Sequence, residues 1–351
     1  MGRAHSNAYH QAARFFDLPY ELHLHTVCGR NAAALSQMAA RWGWSHTATD
    51  WRAVVEDPEI DLVDISVPNS LHAPIALAAA SMGKIILCEK PLAVSVEESA
   101  RMCAAARQRP NMVWFNYRRV PAVGFSRRLI DEDRIGRVFH YRGIYLQEWG
   151  NDSTRLPNWK TSQEVAGSGV LGDLLSHSID LALYLNGPIR EVSALQHTFA
   201  ENRDVDDATL VLVRFANGSI GSLEATRYAT GAKNRNSFEI HGSKGAVRFN
   251  LEDLNRLEFF DATEPRNLQA SRNLLVTGPD HPYTANFWKP GHIIGYEHTF
   301  IAALADFLIA LHSGEQFRPN FDDAHQVQLV IDAIELAARS RSWERAGPAV
   351  S

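Results

Sequence analysis

Residues 61–91 read DLVDISVPNSLHAPIALAAASMGKIILCEKP, and this stretch decides the fold. Asp61 to Val67 is a short apolar run of the kind a buried strand needs, and it stops at Pro68-Asn69. His72 to Met82 is rich in alanine and leucine, so it is helical, and Gly83 closes it. Lys84 to Cys88 is a second strand-like run, ending at Glu89-Lys90-Pro91. Two buried strands joined by a helix of about ten residues form a parallel crossover unit.

The same alternation extends both ways. Upstream lie a helix from Ser6 to Phe16, an alternating strand from Tyr20 to Cys28, a helix from Ala32 to Trp42 and a helical turn from Trp51 to Glu56. Downstream come a helix from Val96 to Arg107 and a strand from Met112 to Phe115. This predicts an α/β, doubly wound parallel sheet. Such sheets bind ligands at the carboxyl ends of their strands, where Asn69, Lys90 and Asn116 stand. A helix with no strand before it is unusual here. A nucleotide fold opens with a strand and a glycine-rich turn, of which only Gly2 is present. We expect roughly a dozen residues, a strand and a tight turn, to precede Met1 in the native protein.

From Pro121 the texture changes. A helix (Val123 to Asp131) and a long strand (Gly136 to Gln147) lead into a polar loop from Asn151 to Ser168. Strands follow at 192–199, 208–215, 219–227, 236–241 and 246–250, with 256–260 as a further candidate. Turns such as Asn217-Gly218 join them, which implies an antiparallel or mixed sheet. Helices from Tyr296 to His312 and Asp322 to Arg341 close the chain. The expected domains are 1–118, dinucleotide-binding, and 119–351, an α+β domain with a large, mostly antiparallel sheet.

The 351 residues are 45% hydrophobic and 21% charged, which excludes a disordered or fibrous chain and leaves room for about two cores. Net charge is −5 with no basic stripe, against nucleic acid as a partner. No apolar run has membrane-spanning length. Cys28, Cys88 and Cys103 form no CxxC pair and read as free thiols, so a cytoplasmic setting is expected. The fifteen histidines show no metal-ligand spacing, and no metal site is expected.

The helix predicted after Gly167-Ser168-Gly169 places Asp173, His177 and Asp180 at i, i+4 and i+7, on one face of an otherwise apolar helix. Buried charge is costly unless paired or used. The pattern fits a proton-transfer site, with a solvated helix face as the less favoured alternative.

Four stretches together resemble the glucose–fructose oxidoreductase/inositol dehydrogenase/rhizopine catabolism (Gfo/Idh/MocA) family. They are Val67 to His72, Glu89-Lys90-Pro91, Gly172 to Asp180, and Ser237 to Phe249, in the family's order. Phe115 to Arg119, Tyr145 to Trp149, Gly278 to Tyr283 and the Gly295-Tyr296 region look like its levoglucosan dehydrogenase branch, close to inositol 2-dehydrogenases. The resemblance implies a Rossmann-type domain and an NAD(P)-dependent oxidoreductase acting on a ring hydroxyl of a sugar, anhydrosugar or cyclic polyol. Lys90 and His177 then handle the proton and Asp173 binds substrate, whereas Asp180 is structural, pairing with backbone or a basic residue. Gly2, Ser66, Pro68, Asn69, His72, Glu89 and Asn116, with Trp159 and Lys160, are implied around the cofactor, and Arg118 near the same cleft. Lys160 stands where relatives have arginine. Tyr117, Trp149 and Tyr283 are candidates to stack on or bond the ring. After the second strand an NAD site usually carries an acid. Here Cys28-Gly29-Arg30-Asn31 stands instead, and Arg30 suits a 2′-phosphate or an adenine face, so NAD and NADP both remain. Relatives pair through the sheet of the second domain, so a homo-dimer or homo-tetramer is expected. A myo-inositol-type dehydrogenase and a non-catalytic dinucleotide-binding sugar sensor remain alternatives.

Overall fold

The computed structural model describes residues 1–152, 159–201 and 203–347. The chain divides into two compact units. The first comprises Met1–Ala93, Glu97–Asn116 and Tyr296–His325. The second comprises Val94–Val96, Tyr117–Gly295 and Gln326–Ser351.

The first unit runs α1 (Gly2–Phe15), β1 (Thr26–Cys28), α2 (Ala32–Trp42), β2 (His46–Ala48), α3 (Trp51–Glu56), β3 (Leu62–Ile65), α4 (His72–Ser81), β4 (Ile85–Cys88), α5 (Val96–Ala106) and β5 (Asn111–Val113). All its strand pairs are parallel, as the alternation predicts. They form two sheets, β1-β2 and β3-β4-β5. The expected strand from Tyr20 shortens to Thr26–Cys28. Its partner β2 is itself three residues long, so a longer β1 finds no ladder.

The chain-order boundary at residue 118 does not follow the packing throughout, because α9 (Tyr296–Ser313) returns to the first unit. Phe300 is buried there against His5 and Trp114, with ring centroids 5.6 Å from each. Thr299 accepts a hydrogen bond from the Asn116 amide at 2.8 Å.

The second unit holds a nine-stranded sheet in the order β13-β12-β11-β10-β6-β9-β8-β7-β14. These are β6 (Val138–Leu146), β7 (Ile189–His197), β8 (Ala208–Phe215), β9 (Ile220–Thr226), β10 (Arg235–Gly242), β11 (Gly245–Asn250), β12 (Arg256–Asp261), β13 (Ser271–Leu275) and β14 (Glu344–Arg345). Only the β6–β9 pair is parallel, so the sheet is mostly antiparallel, as expected. The helices are α6 (Pro121–Asp131), α7 (Gln163–Ala166), α8 (Ser176–Asn186) and, after α9, α10 (Phe321–Ser340), whose N-terminal turn belongs to the first unit.

Helix α8 covers one sheet face and carries the expected polar stripe, with a change of winding. Leu171–Leu175 form a π-helical turn before α8 begins. The wider turn rotates Asp173 away from the position a continuous α-helix assigns it, while His177 and Asp180 stay in the α-helical register. Among the described residues no helix is long and apolar enough to cross a membrane. No cluster of three or more His, Cys, Asp or Glu side chains among them can hold a metal ion.

Candidate active site

In the first unit the strand ends carry the expected residues. Gly2 opens α1, and a Cβ there would lie 3.9 Å from the Ser66 hydroxyl, so the helix N-terminus and the end of β3 are neighbours. The first-turn amides of a helix lack intrahelical acceptors and favour phosphate oxygens. Pro68 and Asn69 continue the same loop, with Asn69 buried. Arg30 is exposed beyond β1, and Asn31 caps α2 by accepting from the Ala34 amide at 3.0 Å.

His72 is fully buried, with its ring nitrogens 2.9 Å and 3.0 Å from the carbonyl oxygens of Pro91 and Val67. It therefore holds the loops after β3 and β4 together. Burial keeps its pKa below the ordinary value, against the pull of those carbonyls. A neutral imidazole has one N–H, so it donates to one carbonyl at a time.

Glu89 also points inward. Its carboxylate accepts from the Lys90 backbone amide at 3.1 Å and lies 2.9 Å from His5 Nε2. His5 Nδ1 lies 2.9 Å from Asp64, which also accepts from Tyr9 (3.1 Å) and the Trp114 indole (2.9 Å). Burial would lower the His5 pKa, but Asp64 and Glu89 outweigh it and push it up to about 9. The same contact overrides burial at Glu89 and holds its carboxyl below the usual range. An imidazolium between two carboxylates thus anchors the turn that presents Lys90. Asn116 is buried, its amide committed to Thr299.

In the second unit His177 is buried, its ring 4.5 Å from that of Tyr117 and 6.0 Å from that of Tyr145. Asp173 accepts a 2.8 Å hydrogen bond from Lys160, whose ammonium also lies 5.7 Å from the Trp159 ring centroid. Lysine therefore keeps an ionic contact at this position. Asp180 is buried and accepts from Arg118 Nε at 3.0 Å and Nη2 at 2.6 Å. This is the structural pairing expected of Asp180. The Arg118 guanidinium is buried in this two-point ion pair. Arg119 reaches the Tyr283 ring at 5.7 Å, and Tyr283 holds a left-handed backbone, φ 66°. Three consecutive residues, Tyr117, Arg118 and Arg119, thus contact His177, Asp180 and Tyr283 in turn.

Sequence reasoning did not single out His5, Gln147, Arg227 or Asn234, and named Tyr145 only in a stretch that carries the resemblance. Arg227 is wholly buried, 4.6 Å from the Trp149 ring and 3.8 Å from Asp207. Tyr145 and Gln147 lie two apart on β6 and its one-residue continuation, a signal legible in the chain. Arg227 and Asn234 come from distant strands and carry no local signal.

Known proteins were then compared. Residues 1–117 match the model of an oxidoreductase family with an NAD-binding Rossmann fold, and residues 126–248 match the GFO/IDH/MocA C-terminal domain. Levoglucosan dehydrogenase of Pseudarthrobacter phenanthrenivorans is 40% identical, over 98% of this chain and 95% of that protein. An oxidoreductase domain protein from Kribbella flavida superposes with a TM-score of 0.97 at 44% identity, covering 99% of this chain and 96% of that one. A levoglucosan dehydrogenase in complex with NADH and levoglucosan superposes with a TM-score of 0.96 at 41% identity, with coverage of 99% and 96%. With both family models matched in order and a near-full-length relative at this identity, the chain belongs to the Gfo/Idh/MocA family of oxidoreductases.

Proposed function

We propose that this chain is an NAD(P)-dependent dehydrogenase that oxidises a ring hydroxyl of a sugar, anhydrosugar or cyclic polyol to a ketone. The observation that carries this is the near-full-length likeness to levoglucosan dehydrogenase, in a chain that also has Lys90, Asp173 and His177. A levoglucosan-like anhydrosugar is the favoured substrate, since the solved relative holds NADH and levoglucosan.

The donor set of the first unit suits a dinucleotide. The first turn of α1 at Gly2 with the Ser66 hydroxyl offers phosphate donors, Pro68 and Asn69 shape the adjoining loop, and Arg30 accepts an adenine ribose with or without a 2′-phosphate. When bound, the nicotinamide supplies the hydride acceptor. Lys90 donates a hydrogen bond to the reacting hydroxyl and favours its ionisation. His177 accepts the proton, a role open to a neutral imidazole. Asp173, held by Lys160, accepts from a substrate hydroxyl. Tyr117, Trp149 and Tyr283 supply aromatic surface.

The test is turnover of the purified chain on levoglucosan, aldoses and myo-inositol with NAD and with NADP. Lys90→Ala and His177→Ala should each lower kcat by at least about 100-fold while cofactor binding by calorimetry persists. Full activity in both variants overturns the assignment, and binding without turnover in the unaltered chain favours a sensor.

Leu195, Leu210, Leu212 and Ile220 are exposed on one face of β7, β8 and β9, an apolar patch suited to a second copy of the chain. We read the protein as a homo-dimer or homo-tetramer on that basis, and as cytoplasmic from its three free cysteines. Sedimentation velocity of Leu212→Lys should show smaller particles than the unaltered chain, and an unchanged size refutes this interface.

A further inference from the structure

A line of hydrogen bonds crosses the second unit from Trp149 to Tyr117, whose ring packs against His177. Trp149 Nε1 donates to Gln147 Oε1 at 2.7 Å. Gln147 Nε2 donates to Asn234 Oδ1 at 2.7 Å, and the Tyr145 hydroxyl donates to the same oxygen at 2.8 Å. The Tyr145 and Tyr117 hydroxyl oxygens are 3.1 Å apart, and the Tyr117 ring lies 4.5 Å from His177. Topology assembles the line. Tyr145 and Gln147 point to one side of β6 and its one-residue continuation, Trp149 opens the 3-10 turn that follows, and β10 pairs Arg235 with Leu146, which brings Asn234 across from Gln147.

The proton order follows from donor chemistry. An indole N–H only donates, so Gln147 must turn its carbonyl oxygen to Trp149 and its NH2 to Asn234. Asn234 must then present its oxygen, not its nitrogen. That oxygen takes the one proton Tyr145 owns. Tyr145 therefore has only lone pairs for Tyr117, and Tyr117 must donate to it. The Tyr117 proton is thereby directed away from other neighbours, to which Tyr117 presents oxygen lone pairs. Linked hydrogen bonds of this kind reinforce one another.

We propose that Asn234 is a positioning residue that imposes this order, so that Tyr117 acts as an acceptor beside His177. The Tyr117 oxygen then favours a substrate whose carbon next to the oxidised one bears a second hydroxyl, and disfavours an ether or carbonyl there. This rests on the dehydrogenase reading above and on Tyr117 touching the substrate. A purely structural role, tying β6 to the turn before β10, predicts a loss of stability without a change in substrate preference.

The experiment uses Asn234→Leu, which removes the acceptor, and Asn234→Asp, which keeps acceptor oxygens for both Tyr145 and Gln147. With levoglucosan and NAD, Asn234→Leu should raise KM by about tenfold with kcat within about twofold, as loss of one uniform hydrogen bond predicts. Asn234→Asp should restore KM to within about threefold of the unaltered chain. An anhydrosugar deoxygenated next to the oxidised carbon should show no KM difference between Asn234→Leu and the unaltered chain. Neutron diffraction of the unaltered chain should place the Tyr145 deuteron toward Asn234 and the Tyr117 deuteron toward Tyr145. An unchanged KM in Asn234→Leu, an Asn234→Asp variant as impaired as it, or a Tyr145 deuteron facing Tyr117 overturns the proposal. If the unaltered chain oxidises no sugar or polyol, the dehydrogenase reading fails on that result alone, and the neutron map still decides the proton order.

Discussion

Replacing His5 with glutamine should change how stability depends on pH. In the folded chain the His5 pKa stands at about 9, against 6.5 for a free imidazole, because Asp64 and Glu89 at 2.9 Å each overcome the cost of burial. That gap corresponds to about 3 kcal/mol. Below pH ~6.5 the contribution is fully present. Between about 6.5 and 9 the folded state holds a proton that the unfolded state has lost, so stability falls as pH rises, by at most about 1.4 kcal/mol per pH unit. Above about 9 the contribution is gone. The lowered Glu89 pKa expresses the same contact at acid pH and is not an additional sum. Glutamine keeps a hydrogen-bond donor near one carboxylate but has no charge to lose. Urea unfolding of both proteins from pH 6 to 9.5 checks this, with an NMR titration of the His5 ring as the direct measure. The stability difference between them should shrink by about 3 kcal/mol across that range. A difference that stays flat, or a His5 ring that titrates near 6.5, refutes the account of the imidazolium clamp.

Two further perturbations test the packing of the second unit. Asp180→Asn takes the Asp180 carboxylate away from the buried Arg118 guanidinium and should cost about 3–5 kcal/mol in thermal unfolding, while the double variant Asp180→Leu, Arg118→Met recovers most of it. Gly169→Ala would put a Cβ 1.8 Å from the Asp206 carbonyl oxygen, in the turn where Asp206 accepts from the Gly169 and Leu171 amides at 2.6 and 2.9 Å. This variant should therefore lose more stability than Gly187→Ala, whose added Cβ meets nothing within 4 Å and whose cost is the positive-φ, extended-ψ backbone alone (φ 86°, ψ −169°), about 1–3 kcal/mol. Equal melting temperatures for the two variants contradict the steric account.

Much of this molecule is legible along the chain. Apolar runs bounded by Pro, Gly and Asn mark β3, α4 and β4, and their alternation makes the sheet parallel before any contact is known. Helix α2 and strand β8 fall where local pattern puts them, because capping and alternation are properties of neighbouring residues. The short strands β2, β13 and β14 were not legible, since two to five residues without strong alternation acquire strand geometry only from a partner ladder.

At the site the division is sharper. Sequence spacing alone put His177 and Asp180 on one helix and marked Lys90 at a strand end, because periodicity and strand order are one-dimensional facts. It assumed a uniform winding, and the π-helical turn at Leu171–Leu175 shows where that assumption failed for Asp173. Which partner each polar group takes was decided only in three dimensions. Residue 5 meets residues 64 and 89, residue 118 meets 180, and residue 234 meets 145 and 147. Such pairs lie dozens of positions apart, and what selects them is the requirement that buried polar groups be satisfied in the folded chain. That requirement joins the His5 charge to its two carboxylates and gathers Tyr145 and Gln147 on the Asn234 oxygen. No local stretch of the sequence encodes either one.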